Sequence, residues 1–131
     1  MRDVRHKSIG PSETAFADAL LSIRSWERSH IPLHAPQISF DILLHVAASV
    51  ARHRPARMKE LHLAIGYSQD RIREVVHQLA ADDWIELIAD ARDGRSRFVQ
   101  PTAKALRLLE DYRAQLLRGV GSAVTAQAEV A

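Results

Sequence analysis

The stretch Ile88-Ala89-Asp90-Ala91-Arg92-Asp93-Gly94-Arg95-Ser96-Arg97-Phe98 decides how the rest of the chain is read. Asp-Gly is a dipeptide that closes short connections between antiparallel strands, since glycine accepts a positive φ that other residues resist. On its two sides Trp84-Ile85-Glu86-Leu87-Ile88 and Ser96-Arg97-Phe98-Val99-Gln100 are short and β-prone, so the segment predicts a two-stranded hairpin turning at Asp93-Gly94. Arg92, Arg95 and Arg97 make the tip of that hairpin a cation. A cationic hairpin reaches a phosphate backbone or a minor groove.

Upstream, Ser68 suits a helix cap and is followed by Ile72, Val75, Val76 and Leu79 at helical spacing. Before it, Met58 to Ile65 reads as a short helix that Gly66 closes in a left-handed conformation. Two short helices joined by Gly66-Tyr67-Ser68 form a helix-turn-helix pattern. Arg52-His53-Arg54-Pro55-Ala56-Arg57 reads as a basic turn, and Ile38 to Arg52 as a helix with Ile42, Leu43, Val46 and Val50 facing inward. A first helix starts at Ser12, carries Phe16, Leu20, Ile23 and Trp26, and stops before Pro32. Thr102 caps a closing helix, Ala103 to Arg118, with Leu106, Leu109, Tyr112, Leu116 and Leu117 apolar. Residues 1–11 read as a flexible basic arm and residues 119–131 as a frayed tail.

Composition bounds the function. The 131 residues, 47% hydrophobic and 26% charged, suit one domain over residues 12–118. No cysteine is present, which removes disulfides, thiolate metal sites and cysteine nucleophiles. No apolar run reaches the roughly 18 residues of a membrane helix, and the cytoplasm is the expected compartment. Five glycines form no phosphate-cradling loop, and neither His-Glu-x-x-His nor a nucleophile elbow occurs, so an enzyme is not expected. The net charge of +2 does not by itself point to nucleic acid; local clustering does.

The order of helix, helix-turn-helix, cationic hairpin and closing helix resembles the MarR family of bacterial transcription regulators. The resemblance rests on Lys59-Glu60-Leu61, Ile65-Gly66-Tyr67-Ser68, Trp84-Ile85-Glu86, Asp90-Ala91-Arg92-Asp93-Gly94-Arg95 and Thr102 with Lys104. It implies a mainly α fold with a small β-hairpin wing: a winged helix-turn-helix with a DNA-binding core over about 38–101 and terminal helices, 12–30 and 102–118, that dimerise. Asp83 stands where the family usually has a glycine, which implies a left-handed backbone there. Asp70 is acidic where relatives often carry small hydroxyl residues.

The function implied is sequence-specific binding of double-stranded DNA, with residues 68–82 in the major groove and the wing, 90–97, at the minor groove or backbone. If Ile72, Val75, Val76 and Leu79 face the core, Gln69, Asp70, Arg73 and His77 lie opposite. Gln69 suits adenine, Arg73 guanine or a phosphate, and Asp70 a cytosine amino group. Asp70 also suits an ion pair with Arg73 three residues on. Ser68 begins this helix, Arg54 and Arg57 of the basic turn suit phosphates, and Arg92, Arg95 and Arg97 belong to the wing. The resemblance gives Arg95 the minor groove, braced by Asp90 or Asp93.

A polar helical stripe is also the ordinary solvated face of a helix, and residues 68–83 hold two arginines against four acids. That balance leaves open a winged-helix module that docks a protein partner without reading DNA sequence. Relatives bind small aromatic effectors, for which Trp26, His30, His34 or Phe40 are candidates, though no effector is specified. His30-x3-His34 has the spacing of metal ligands, but Pro32 breaks the helix that would aim both rings at one ion, so neither metal nor cofactor is expected.

Overall fold

The computed structural model describes residues 9–130. Most of the expected basic arm, residues 1–8, lies outside the described residues, and Pro11 of that arm already opens a helix. The order is α1 (Pro11–His30), α2 (Pro36–Ala51), β1 (Ala56–Arg57), a 3-10 turn (Met58–Glu60), α3 (Leu61–Ile65), α4 (Gln69–Ala81), β2 (Ile85–Asp90), β3 (Asp93–Pro101) and α5 (Ala103–Val130). The chain divides into two compact units, one within residues 31–110 and the other formed by α1 with the part of α5 from Asp111 onward. Among the described residues no helix is long and apolar enough to cross a membrane.

The core of the 31–110 unit forms where helical and strand periods coincide. Ile42, Leu43 and Val46 of α2, Leu61 of α3, and Ile72, Val75, Val76 and Leu79 of α4 are almost wholly removed from solvent. Each such side chain contributes about 1.5–3 kcal/mol by leaving water. Ile85 and Val99 close the core from the sheet. Pro36 supplies the preset φ of a first helical turn to α2. Val50, expected inward, is 40% exposed, and Ser49 takes the buried place. The Ser49 hydroxyl is satisfied there by donating to the carbonyl of His45 at 2.9 Å.

Three expectations about local structure are corrected. The basic turn stops at Pro55, because Ala56 and Arg57 pair with Val99 and Phe98 as the edge strand of a sheet ordered β1-β3-β2. Met58 to Ile65 is a 3-10 turn followed by a short α-helix, with Gly66 at φ 89 closing it as anticipated. The hairpin turns at Ala91-Arg92, since Asp90 pairs with Asp93, and Asp93 and Gly94 lie within β3. Asp90 makes this possible by accepting the Arg92 amide on its own carboxylate at 2.9 Å, a side-chain mimic of a turn. Gly94 has no positive φ.

α4 begins and ends on side-chain and backbone caps. The Ser68 hydroxyl accepts the Arg71 amide at 3.2 Å. At the other end Trp84 N–H reaches the Leu79 carbonyl at 2.9 Å and Asp83 N–H the Ala80 carbonyl at 3.1 Å, with Asp83 at φ 64. This is a Schellman closure with aspartate in the left-handed place that glycine fills most easily. Thr102 donates to the Asp83 carbonyl at 2.7 Å, accepts the Ala105 amide at 3.2 Å, and so caps α5 while holding that turn. Lys104 Nζ donates to the Asp82 carbonyl at 2.8 Å and lies 4.1 Å from the Trp84 ring centre.

In the other unit, Trp26 stacks on His30 at 4.7 Å and meets Tyr112 edge-on at 5.6 Å, while Tyr112 donates to Glu27 at 2.8 Å. Burial, with the Glu27 carboxylate beside it, pushes the Tyr112 phenol up to about 12. The expected frayed tail is instead helix: α5 runs through Gly119 and Gly121 to Val130. Each glycine costs a helix about 1 kcal/mol relative to alanine, but Gly119 lies against Ala19 and Ile23 of α1, where packing sustains the turn. Ile23 is buried, whereas Phe16, Leu20, Leu116 and Val120 line an open apolar groove.

The left-handed backbone at Asp83 gives a direct test. Asp83→Gly raises the free energy of unfolding by about 0.5–1 kcal/mol, and Asp83→Val lowers it by about 1 kcal/mol or more. Denaturant melts of the three proteins check the order.

Candidate nucleic-acid interface

Burying Ile72, Val75, Val76 and Leu79 forces the remaining faces of α4 outward. Gln69, Arg73 and His77 succeed one another four residues apart and form a single exposed ridge. That ridge faces the hairpin across a cleft of about 290 Å³, whose other wall holds Arg95, Ser96 and Arg97, with Met58, Lys59 and Ile72 completing the lining. Its charged lining is Lys59, Arg73, Arg95 and Arg97, with no carboxylate. Among the described residues, no hydrogen bond or ion pair engages the side chains of Arg73, His77, Arg95 or Arg97. Four uncompensated cations around one concave surface make an anion-attracting field.

Asp70 lies one residue off this ridge, is exposed, and does not line the cleft. The ion pair expected between Asp70 and Arg73 is replaced by Arg71 with Glu74 at 3.0 Å. The acids of α4 therefore stand apart from the cations of its ridge. Ser68 is engaged as the cap.

The wing arginines separate by position. Arg95 and Arg97 enter the cleft wall, while Arg92 sits in the exposed turn with its amide held by Asp90. Asp93 accepts the backbone amide of Arg95 at 3.1 Å, and so steadies the residue without touching its guanidinium. Asp90 pairs with Arg57, not with Arg95 as expected. Arg57 Nη1 donates to Asp90 Oδ2 at 2.9 Å and to Ser96 Oγ at 2.6 Å, and its guanidinium lies 4.6 Å from the Phe98 ring centre. Arg54 lines a separate cleft of about 530 Å³ with Arg52, His53 and His45.

Lys59, which the sequence groups with the cations of the basic turn but does not single out as a contact, is a cleft cation. Its signal was its position two residues before Leu61, at the opening of the helix-turn-helix. The partnership of Asp90 and Ser96 with Arg57 left no signal, because it depends on a strand of two residues. Among the described residues no cluster of three or more metal-ligating side chains occurs.

No family model matches the chain, and no curated protein matches it by sequence. Its fold does match solved structures. Sco3205, a MarR family transcriptional regulator from Streptomyces coelicolor in complex with DNA, superposes with a TM-score of 0.61 over 88% of this chain and 71% of its own, at 22% identity. The chain has the MarR-type fold. The transcriptional regulator Tm0710 from Thermotoga maritima gives a TM-score of 0.64 at 21% identity, covering 80% of this chain and 69% of that one. The PcaV transcriptional regulator from Streptomyces coelicolor, in complex with its natural ligand, gives 0.56 at 18% identity over 87% and 80%. In this MarR-type frame α3 and α4 are the helix-turn-helix and the β2-β3 hairpin is the wing.

The Asp90 carboxyl is held below its ordinary value of 3.8, chiefly by the Arg92 amide and next by the Arg57 guanidinium. A depressed folded value means that its contribution is present above pH 3.8 and disappears as pH falls through the lower folded value. The stability gap between the parent protein and Asp90→Asn is therefore constant from neutral pH down to about that point and closes below it, as thermal melts across acid pH will show.

Proposed function

We propose that this protein is a sequence-specific double-stranded-DNA-binding transcription regulator of the MarR type, acting by binding and not by catalysis. The observation that carries the reading is the carboxylate-free cleft in which Lys59, Arg73, Arg95 and Arg97 converge from α4, the wing and the segment before α3. A duplex satisfies that surface: the α4 ridge enters the major groove and Arg95 the minor groove. Gln69 suits the bidentate donor and acceptor edge of adenine, Arg73 that of guanine, and His77 extends the ridge. Ser68 and Asp70 lie at the entering end of α4, where Asp70 accepts from cytosine. Arg54, Arg92, Arg97 and Lys59 serve the backbone, which positions without specifying sequence.

The open apolar groove of α1 and α5 supports assembly as a homodimer. Two copies then present their α4 helices to half-sites about 34 Å apart. Sco3205 was captured with DNA and PcaV with a natural ligand, so an effector-responsive regulator is part of the proposal, with the effector's chemistry left open.

Fluorescence anisotropy on an arbitrary duplex tests the reading. Four phosphates neutralised per copy, eight per homodimer, predict a fall in affinity of about ten-thousandfold between about 50 and 200 mM salt. Arg95→Ala weakens every sequence, whereas Gln69→Ala and Arg73→Ala redistribute preference among duplexes selected from genomic fragments. Absence of binding at low salt refutes the proposal, and favours a protein-docking winged helix.

A further inference from the structure

We propose that Arg57, which its sequence context marks as a phosphate contact, is instead a positioning residue that braces the wing from β1 so that Arg95 and Arg97 stand ready for DNA. The inference rests on the DNA-binding reading given above. Both N–H groups of Nη1 are spent, on Asp90 and on Ser96, and the guanidinium lies on Phe98. Nε stands 3.9 Å from Glu60. Asp90 and Ser96 are only 8% and 5% exposed. With Nη1 committed and the Asp90 carboxylate compensating its charge, the guanidinium offers a phosphate less than Arg95 and Arg97 do, unpaired as they are among the described residues.

What it does offer follows from the register. β1 pairs with β3 only at Val99 and Phe98. Beyond that point the hairpin has no third strand, and residues 89–97 form a two-stranded ribbon with a register irregularity between Ala89 and Asp90. Two-stranded ribbons are marginal and twist readily. The Arg57 side chain carries β1's support past its last backbone pair, to Ser96 on one strand and to Asp90 on the other. Ser96 stands between Arg95 and Arg97, so fixing it fixes where both leave the strand. A wing held in advance is spared the entropic cost of ordering those residues on binding.

The test compares the full-length parent with Arg57→Gln, Asp90→Asn, their double variant and Arg95→Gln. Duplex binding is measured by anisotropy across salt, at a temperature where circular dichroism shows each protein folded. Arg57→Gln weakens binding about tenfold at every salt, the scale of one lost charge-assisted hydrogen bond, with the slope of log affinity against log salt unchanged. Arg95→Gln flattens that slope by up to about 0.9 if its contact is to a phosphate. Asp90→Asn removes a negative charge near the DNA and nevertheless weakens binding, and the double variant is no weaker than Arg57→Gln within about twofold, as members of one network behave. Hydrogen exchange of the amides from Ala89 to Arg97 speeds up in Arg57→Gln and in Asp90→Asn while α4 is unaffected.

A slope flattened by Arg57→Gln makes it a phosphate contact and overturns the proposal. So does tighter or unaltered binding by Asp90→Asn. Unchanged wing exchange overturns it whether or not a duplex binds, whereas a parent protein that binds no duplex while the exchange result holds refutes the functional reading and confines Arg57 to shaping the hairpin.

Discussion

The rest of the 31–110 unit depends on the burial of one face of α4. Ile72, Val75, Val76 and Leu79 are held among Ile42, Leu43, Val46 and Leu61, and together they supply most of the apolar contact that a helix of 13 residues needs to persist. Once that face is committed, rotation of the helix about its axis is no longer free. A turn of 100° would bring a charged residue of α4 into a core where no partner waits, at a cost of several kcal/mol. The direction of Gln69, Arg73 and His77 is thus fixed by four buried apolar residues. Arg95 and Arg97 reach the same cleft from a sheet whose inner residues, Ile85 and Val99, pack into that core.

How charge is apportioned explains why a net of +2 accompanies so basic a cleft. Three carboxylates of α4 and the wing have structural partners: Asp90 takes Arg57 and the Arg92 amide, Asp93 takes the Arg95 amide, and Glu74 takes Arg71. Each acid is held in a position from which it does not line the cleft. The cleft's own arginines, Arg73, Arg95 and Arg97, have no such partner among the described residues. Net charge is a poor guide to such a surface, because it counts the neutralised pairs alongside the free cations.

What sequence could disclose follows the same division. The periodic signals were legible: the inward stripe of α4, the cap at Ser68, the left-handed Gly66 and the left-handed need at residue 83 all correspond to local chemistry within a few residues. The misread features are those in which a distant or weak partner overrides a local preference. Asp93-Gly94 carries a strong turn signal, yet Asp90 captures the Arg92 amide first and sets the turn two residues earlier. β1 is two residues long and exists because Phe98 and Val99 await it, a pairing across some 40 residues that no local pattern contains. Arg57 was read as a free cation for that reason. The helix past Gly119 exceeded its propensity because α1 lies beside it.

The ties at Asp82, Asp83 and Trp84 bear on how α4 is aimed. Thr102 and Lys104 secure the C-terminal turn of α4, while Gln69 projects from its first turn. In mechanical terms the helix is a lever of about 18 Å, at 1.5 Å per residue, fastened at one end and projecting Gln69 at the other. A tilt of about 5° at the fastening displaces Gln69 by about 1.6 Å, well beyond the few tenths of an ångström that a hydrogen bond tolerates. Residues remote from Gln69 thereby govern how accurately its side chain is placed.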